Sequence, residues 1–117
     1  MGGINTKVKG RRGEDAACRF LEGRGYKIVC RNFATKFGEI DIIASLPDVL
    51  CFIEVKSGSS DFLPPEMKVN FSKRKKILKT AEFYINRVNP PFENFRFDVI
   101  SITGENIKFY KDAFRGN

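Results

Sequence analysis

Residues 38–56, GEIDIIASLPDVLCFIEVK, constrain the fold most strongly, because charged side chains interrupt two apolar runs. The β-branched and aromatic residues predict buried strands at about Glu39 to Ala44 and Val49 to Lys56, and SLPD between them has the composition of a turn. Burying a charge is costly unless a partner compensates it. We therefore expect the charged members of these runs to serve a site; they are Glu39, Asp41, Glu54 and Lys56.

An antiparallel hairpin with a loop of residues 45–48 fixes how these side chains meet. That loop predicts the facing pairs Ala44 with Val49, Asp41 with Phe52, and Glu39 with Glu54. Because strand side chains alternate, the charged residues then share one face, with Asp41 diagonal to Glu54 at roughly 7–8 Å between Cα atoms. Glu39 opposite Glu54 is repulsive, and a divalent cation would relieve that repulsion.

This arrangement predicts a metal site. Magnesium takes oxygen ligands and keeps several waters, so Asp41 and Glu54 together with a substrate phosphate would suffice. The carbonyl of Val55 adds a candidate ligand, and Mn²⁺ is expected to substitute for Mg²⁺. Lys56 can then orient an attacking water or neutralise a phosphate oxygen during phosphodiester hydrolysis. The alternative is an ion-pair network at the end of the sheet, in which Lys56 pairs with Glu54.

Composition narrows the partners and the chemistry. Lys and Arg number 21 against 14 Asp and Glu, a net charge of +7, which favours nucleic acid first and an anionic membrane surface second. The longest apolar run, residues 49–53, is far shorter than the ~20 residues of a spanning helix, and no signal peptide is evident, so we expect a cytoplasmic protein. The chain has no histidine, which excludes histidine-based triads and histidine–zinc sites. Its three cysteines fit small buried hydrophobic residues.

The remaining pattern predicts one α/β domain. Apolar periodicity indicates helices over about 12–24 and 72–88, and strand-like runs cover 26–33, 95–102 and 106–111. The predicted order is αβββαββ, a mixed central sheet flanked by helices. Residues 1–10 are expected to be a flexible N-terminal segment and 11–117 a single domain, and a homodimer is left open.

Basic residues crowd the start of the second predicted helix, although positive charge is unfavourable at that end of the helix dipole. We interpret them as a phosphate-binding surface, with a solvated face as the alternative. The predicted contacts are Lys73, Arg74, Lys75 and Lys76, followed by Arg11, Arg12 and Lys36. Arg96 and Asp98 are interpreted as a structural pair.

Asp41 followed by Glu54-Val55-Lys56 resembles the motif of the PD-(D/E)XK nuclease superfamily. The wider pattern resembles the YraN family of endonucleases, related to archaeal Holliday junction resolvases, over about residues 10–102. That pattern consists of GRRGEDAACRFLEGRGYKIVCRN, GEIDIIA, FIEVK, the Val69 to Lys73 step and RFDVI.

The resemblance implies a restriction endonuclease-like core in which Asp41 and Glu54 bind metal and Lys56 is the catalytic lysine. It also implies an additional ligand at Glu14. The chain departs from the family pattern at Ser57 and Gly58, where threonine and arginine are common, and at Leu63, where glycine is frequent.

Three function classes follow from these patterns. The first is a metal-dependent nuclease acting on nucleic acid, with DNA and branched or junction DNA as expected substrates. The second is a nucleic-acid-binding module that keeps the fold without cleavage, which the departures from the family pattern motivate. The third, carboxylate-pair chemistry on a sugar, is disfavoured by the partnering lysine and the basic charge.

Overall fold

The structure, a computed structural model, describes the backbone of residues 6–58 and 71–114, with side chains from residue 13 onward. This part of the chain forms a five-stranded sheet and two helices. The elements are α1 (Thr6–Gly23), β1 (Lys27–Thr35), β2 (Gly38–Leu46), β3 (Val49–Ser57), α2 (Phe71–Val88), β4 (Phe95–Thr103) and β5 (Asn106–Tyr110).

The sheet is mixed, as the sequence predicts. Its strand order is β1-β2-β3-β4-β5, with β3 and β4 parallel and the other neighbours antiparallel. The predicted order αβββαββ is confirmed, although α1 begins at Thr6, before the expected start near Arg12. The polar residues before Arg12 carry no clear apolar period, so the pattern did not reveal this first part of the helix.

Each helix covers one face of the sheet. Ala17 and Leu21 of α1 pack against one core cluster, which includes Ile42 and Ile53 of the central strands. The residues of α2 that face the sheet join a second cluster with Ile43 and are Ile77, Ala81 and Tyr84. Central strands buried on both faces need nearly continuous apolar sequence, so the charged residues in β2 and β3 stand out.

The hairpin between β2 and β3 has a shorter loop than predicted. Its last pair is Leu46 with Val49, so only Pro47 and Asp48 form the turn. The predicted facing pairs are therefore wrong by two positions, and Ile43, not Asp41, faces Phe52. Proline presets the φ angle of a turn residue, which helps two residues reverse the chain.

The alternation of β2 is interrupted beside the candidate site. Ile40 and Ile43 lie in the same core cluster although they are three residues apart, whereas Ile42 lies in the opposite one. Asn32 lies between the pairs Arg31 with Ile42 and Phe33 with Ile40, and its φ is 53°. Asparagine is among the few residues that tolerate this left-handed conformation. The distortion puts Asp41 and its neighbour Ile42 on the α1 side of the sheet.

Helix α2 lies close to the tip of the β1–β2 hairpin at Gly38. A Cβ atom on Gly38 would lie 3.3 Å from Cβ of Lys76 and 3.4 Å from Oγ1 of Thr80. A side chain at position 38 would therefore push the helix away from the hairpin. Within the described ranges, no helix is both long and apolar enough to cross a membrane.

Candidate metal and phosphate site

Three carboxylates converge where α1 meets the start of β2. One oxygen from each of Glu14, Glu39 and Asp41 lies within 4.8 Å of the others. We call these residues the acidic group. Oxygen atoms this close can share one hard cation, because Mg²⁺ and Ca²⁺ are bound by oxygen ligands at about 2.0–2.6 Å.

Two residues of β1 hold Glu14 in the acidic group. Asn32 Nδ2 donates a hydrogen bond of 2.9 Å to Glu14 Oε1, and Arg31 Nη2 lies 3.5 Å from the same oxygen. Arg31 also pairs with Asp15 at 2.8 Å. The left-handed backbone of Asn32 brings its amide to the helix side, so the strand distortion and the carboxylate position are linked.

Asp41 is the electrostatically strained member of the acidic group. Burial and the neighbouring Glu54 carboxylate raise its pKa from 3.8 to about 7, and Glu14 and Glu39 add to the increase. The amide of Val55 opposes that shift by donating a 2.8 Å hydrogen bond to Asp41 Oδ2. A cation at this position would compensate the negative charge of these neighbouring carboxylates.

Glu54 lies on the other side of this arrangement, among lysines. Its side chain is 8% exposed, and Oε1 lies 2.7 Å from Lys73 Nζ and 3.7 Å from Lys56 Nζ. We call Glu54, Lys56 and Lys73 the lysine cluster. Glu54 is outside the group of mutually close acidic oxygens, yet its charge still acts on Asp41. The ion-pair alternative from the sequence is thus partly present in the structure.

The pKa values of the two lysines of this cluster shift in opposite directions. Burial and the adjacent Lys73 lower the pKa of Lys56, against the attraction of Glu54. Burial acts to lower the pKa of Lys73, but hydrogen bonding to Glu54 and Lys56 and the attraction of the nearby carboxylates together outweigh it, so the pKa rises. Lys73 therefore holds its proton more strongly, and Lys56 loses its proton more readily.

The predicted metal ligands lie near one another in the structure, but they fall into two separate groups. Glu14, Glu39 and Asp41 form the acidic group, whereas Glu54 pairs with lysines. The amide of Val55 donates a hydrogen bond to Asp41, and the carbonyl of Val55 stays a predicted metal ligand. The acidic group and the lysine cluster together can hold a cation beside two ammonium groups, a combination suited to a phosphate ester.

The predicted basic surface is also divided. Lys73 points into the lysine cluster, and Arg74 packs over the Phe114 ring with its Cζ 6.0 Å from the centroid. Lys75 and Lys76 are exposed, as is Lys36 in the β1–β2 turn. Arg11 and Arg12 belong to α1, but their side chains lie outside the described part of the chain.

The residues that depart from the YraN pattern lie at the end of β3. Ser57 packs near Gly13 of α1, where a Cβ would lie 3.4 Å from Ser57 Oγ. Gly58 has a φ of +69°, a conformation in which arginine would be strained, so glycine suits this backbone. Leu63 lies outside the described residues.

Arg96 and Asp98 form the structural pair that the sequence predicts. Asp98 is fully buried, and its Oδ1 accepts from Arg96 Nε at 2.9 Å and from the amide of Asp112 at 2.7 Å. Arg96 Nη2 also donates to the Tyr26 hydroxyl at 2.8 Å. Both carboxylate oxygens of Asp98 accept hydrogen bonds, and the network ties β4 to Tyr26 before β1 and to Asp112 after β5.

Sequence reasoning missed Arg31 and Asn32 and did not foresee the contact between Lys73 and Glu54. Arg31 and Asn32 lie within a strand-like run, and the asparagine was a weak signal of a left-handed break in it. Lys73 carried no signal for its contact with Glu54, because that contact joins a helix to a strand far away in sequence.

Comparison with known proteins places the chain in a family. The profile of the uncharacterised protein family UPF0102 matches residues 13–102. A UPF0102 protein of Persephonella marina is 44% identical over 108 residues, covering 92% of this chain and 93% of that protein. A UPF0102 protein of Pseudothermotoga lettingae is 43% identical over 99 residues, covering 85% and 92% respectively. One from Campylobacter jejuni is 44% identical over 107 residues, covering 92% and 94%. By both the profile and these relatives, the chain belongs to the uncharacterised protein family UPF0102.

Proposed function

We propose that this protein is a metal-dependent nuclease that hydrolyses phosphodiester bonds in nucleic acid, with DNA, including branched DNA, as its substrate. The observation that carries the proposal is the acidic group of Glu14, Glu39 and Asp41 beside the lysine cluster, whose two lysines are partly buried. The resemblance to PD-(D/E)XK nucleases at Asp41, Glu54 and Lys56 supports the same reaction class, and the net charge of +7 suits a polyanionic substrate.

The donor set suits a divalent cation. All three members of the acidic group offer carboxylate oxygens, and the raised pKa of Asp41 reflects burial and negative neighbours that a cation would offset. Mg²⁺ or Mn²⁺ would be held by Asp41 with Glu14 and Glu39. When bound, such a cation supplies positive charge that stabilises the phosphate in the transition state and acidifies water.

The lysines supply the remaining chemistry. Lys73 stays protonated beside Glu54 and can hold a phosphate oxygen or keep Glu54 in place. Lys56, with its lowered pKa, can orient the attacking water and accept its proton. Glu54 couples the two lysines to Asp41, so removing its charge should disturb both halves of the site.

The second candidate function is nucleic-acid binding without cleavage. Its supporting observation is the 2.7 Å contact between Glu54 and Lys73, which keeps this carboxylate with lysines and apart from the acidic group. A protein of this kind would bind nucleic acid with Lys75 and Lys76 and leave it intact.

Cleavage assays with Mg²⁺ or Mn²⁺ on junction, flap, duplex and single-stranded DNA test the proposal. We expect Lys56→Ala to lose cleavage by on the order of 100-fold or more while retaining its fold and Mn²⁺ affinity. Asp41→Asn should lose both cleavage and Mn²⁺ binding in calorimetric titration. Asp48→Asn, the same chemical change in an exposed turn, is the matched control and should retain both activities.

Equal Mn²⁺ binding by the wild type and Asp41→Asn would refute the metal site. Unchanged turnover in Lys56→Ala would remove that lysine from the mechanism. Binding of DNA without cleavage of any substrate would establish the second candidate instead.

A further inference from the structure

Two phenylalanine rings form an exposed feature outside the acidic group and the lysine cluster. Phe37, in the β1–β2 turn, and Phe83, on α2, have ring centroids 6.5 Å apart. They line an open groove of about 300 Å³ together with Lys79, Glu82 and Asn86. Phe83 remains 37% exposed although it is a large apolar side chain. A single exposed phenylalanine is ordinary, but two adjacent rings in one groove rimmed by polar side chains form a patch of the kind found at binding sites.

Cationic side chains border both rings. Lys36 Nζ and Lys79 Nζ lie 5.4 Å and 5.8 Å from the Phe37 centroid. Arg87 Cζ lies 5.9 Å from the Phe83 centroid. These distances are near the outer limit of about 6 Å for a cation–π contact, so the long side chains can turn to another partner at little cost. We call the two rings with Lys36, Lys79 and Arg87 the aromatic surface.

Neighbouring groups hold the two rings of the aromatic surface in place. The amide of Phe37 donates a 3.0 Å hydrogen bond to Thr35 Oγ1, which fixes the turn, and α2 packs directly on Gly38. Phe83 also lies 6.4 Å from the half-buried Phe33 ring. Ordered rings lose little conformational entropy when a flat partner stacks on them.

Its chemistry matches an unpaired nucleotide better than an apolar protein partner. A base offers a flat face for stacking on phenylalanine, and the linked phosphate offers negative charge to lysine and arginine. The cations of the aromatic surface outnumber Glu82, the acidic side chain that lines the groove. An apolar peptide would instead bury these ammonium groups without compensation.

The aromatic surface and the acidic group are neighbours along the chain. Phe37 is two residues before Glu39 of the acidic group, so their Cα atoms are at most about 7 Å apart. The rings face α2, whereas the acidic group faces α1, so a strand that contacted both would pass around the tip of the β1–β2 hairpin.

From these observations we propose that the aromatic surface binds an unpaired base of a single-stranded or branched nucleic acid and so selects substrates that contain unpaired nucleotides. This inference deepens the proposed nuclease function and rests on it for the meaning of the neighbouring acidic group.

The absence of tryptophan from the sequence permits a direct test. Phe83→Trp places a single fluorophore in the aromatic surface, and Phe95→Trp places one at an equally exposed phenylalanine, also 37%, at the start of β4. Short oligo(dT) is titrated into each variant in EDTA. Stacking should quench the emission of Phe83→Trp and leave that of Phe95→Trp unchanged.

Affinity measurements provide the second arm. Phe83→Leu keeps an apolar side chain against Phe33 but loses the ring, so oligo(dT) binding should weaken on the order of 10-fold while binding to a blunt duplex is unchanged. Phe95→Leu is the matched control and should bind both as the wild type does. Circular dichroism verifies that each variant is folded.

Absence of selective quenching while the wild type binds oligo(dT) would overturn the inference. So would emission of Phe83→Trp that changes with protein concentration alone, because a second copy of the chain would then cover the surface. Quenching without cleavage in Mg²⁺ or Mn²⁺ supports the aromatic surface and refutes the nuclease. Cleavage of duplex DNA without quenching refutes the surface alone, and absence of binding to any nucleic acid refutes both.

Discussion

Replacing Asp41 by asparagine should stabilise the metal-free protein at neutral and alkaline pH. The pKa of Asp41 rises from 3.8 to about 7 on folding, because burial and Glu54 disfavour the charged carboxylate. Folding therefore takes up a proton between these pH values. The contribution of Asp41 to stability is most favourable below pH 3.8 and is lost as the pH rises through about 7. At about 1.4 kcal/mol per pH unit, the full penalty approaches ~4 kcal/mol.

Asparagine removes this penalty while keeping an oxygen that can accept the hydrogen bond from the Val55 amide. Allowing for relaxation of the ionised site, we expect Asp41→Asn to be more stable than the wild type by about 2–4 kcal/mol at pH 8. At pH 4 the two proteins should be nearly equal. This gain is large beside the ~5–15 kcal/mol of a typical domain.

Urea denaturation in EDTA, followed by circular dichroism at several pH values from 4 to 8, measures the difference. Asp48→Asn makes the same substitution in an exposed turn and should follow the wild-type pH profile. A stability profile for Asp41→Asn that parallels the wild type, or a lower stability at pH 8, would refute the reasoning. The latter result would mean that Asp41 acts as a partner in a stabilising ion pair.

Three further variants test the basic surface, the buried ion pair and the tip of the β1–β2 hairpin. Replacing Lys75 and Lys76 with glutamine should weaken the salt dependence of duplex DNA binding: the slope of log K against log[salt], measured by fluorescence anisotropy, should fall by roughly 0.9 per lost phosphate contact. An unaltered slope would show that other residues contact the duplex. Asp98→Asn should cost about 3–5 kcal/mol in urea denaturation, because Arg96 loses its buried carboxylate, and a cost below ~1 kcal/mol would contradict this. Gly38→Ala should destabilise by about 1–3 kcal/mol, since its Cβ would meet Lys76; a neutral result would show that the hairpin tip yields easily.

The strands and helices could be predicted because they follow local periodicity. The predicted strand from Val49 to Lys56 matches β3 to within one residue, and the predicted second helix matches α2 equally well. The predicted structural pair of Arg96 and Asp98 also holds, because residues two apart on a strand share a face. The loop before β3 was too long by two residues, since composition marks a turn without fixing its length.

The sequence could not predict that the charged residues of the site form two groups, the acidic group and the lysine cluster. Strict alternation predicts that Asp41 and Glu54 face the same way, but the break at Asn32 turns Asp41 toward Glu14 of α1. Glu54 meanwhile meets Lys73, a residue that the sequence assigned to substrate phosphate. The contacts of Asp41 with Glu14 and of Glu54 with Lys73 each join a strand to a helix. Their geometry depends on how each helix packs on the sheet.

The sequence by itself determined the α/β architecture, the absence of histidine chemistry, and the charged positions within otherwise apolar strands. It could do so because periodicity and the cost of burying charge act through neighbours along the chain. Only the tertiary structure decided which charges meet. It brings the carboxylates of Glu14, Glu39 and Asp41 together and pairs Glu54 with lysines. It also decided that Phe37 and Phe83 share one groove, because that proximity arises where a hairpin tip packs against a helix.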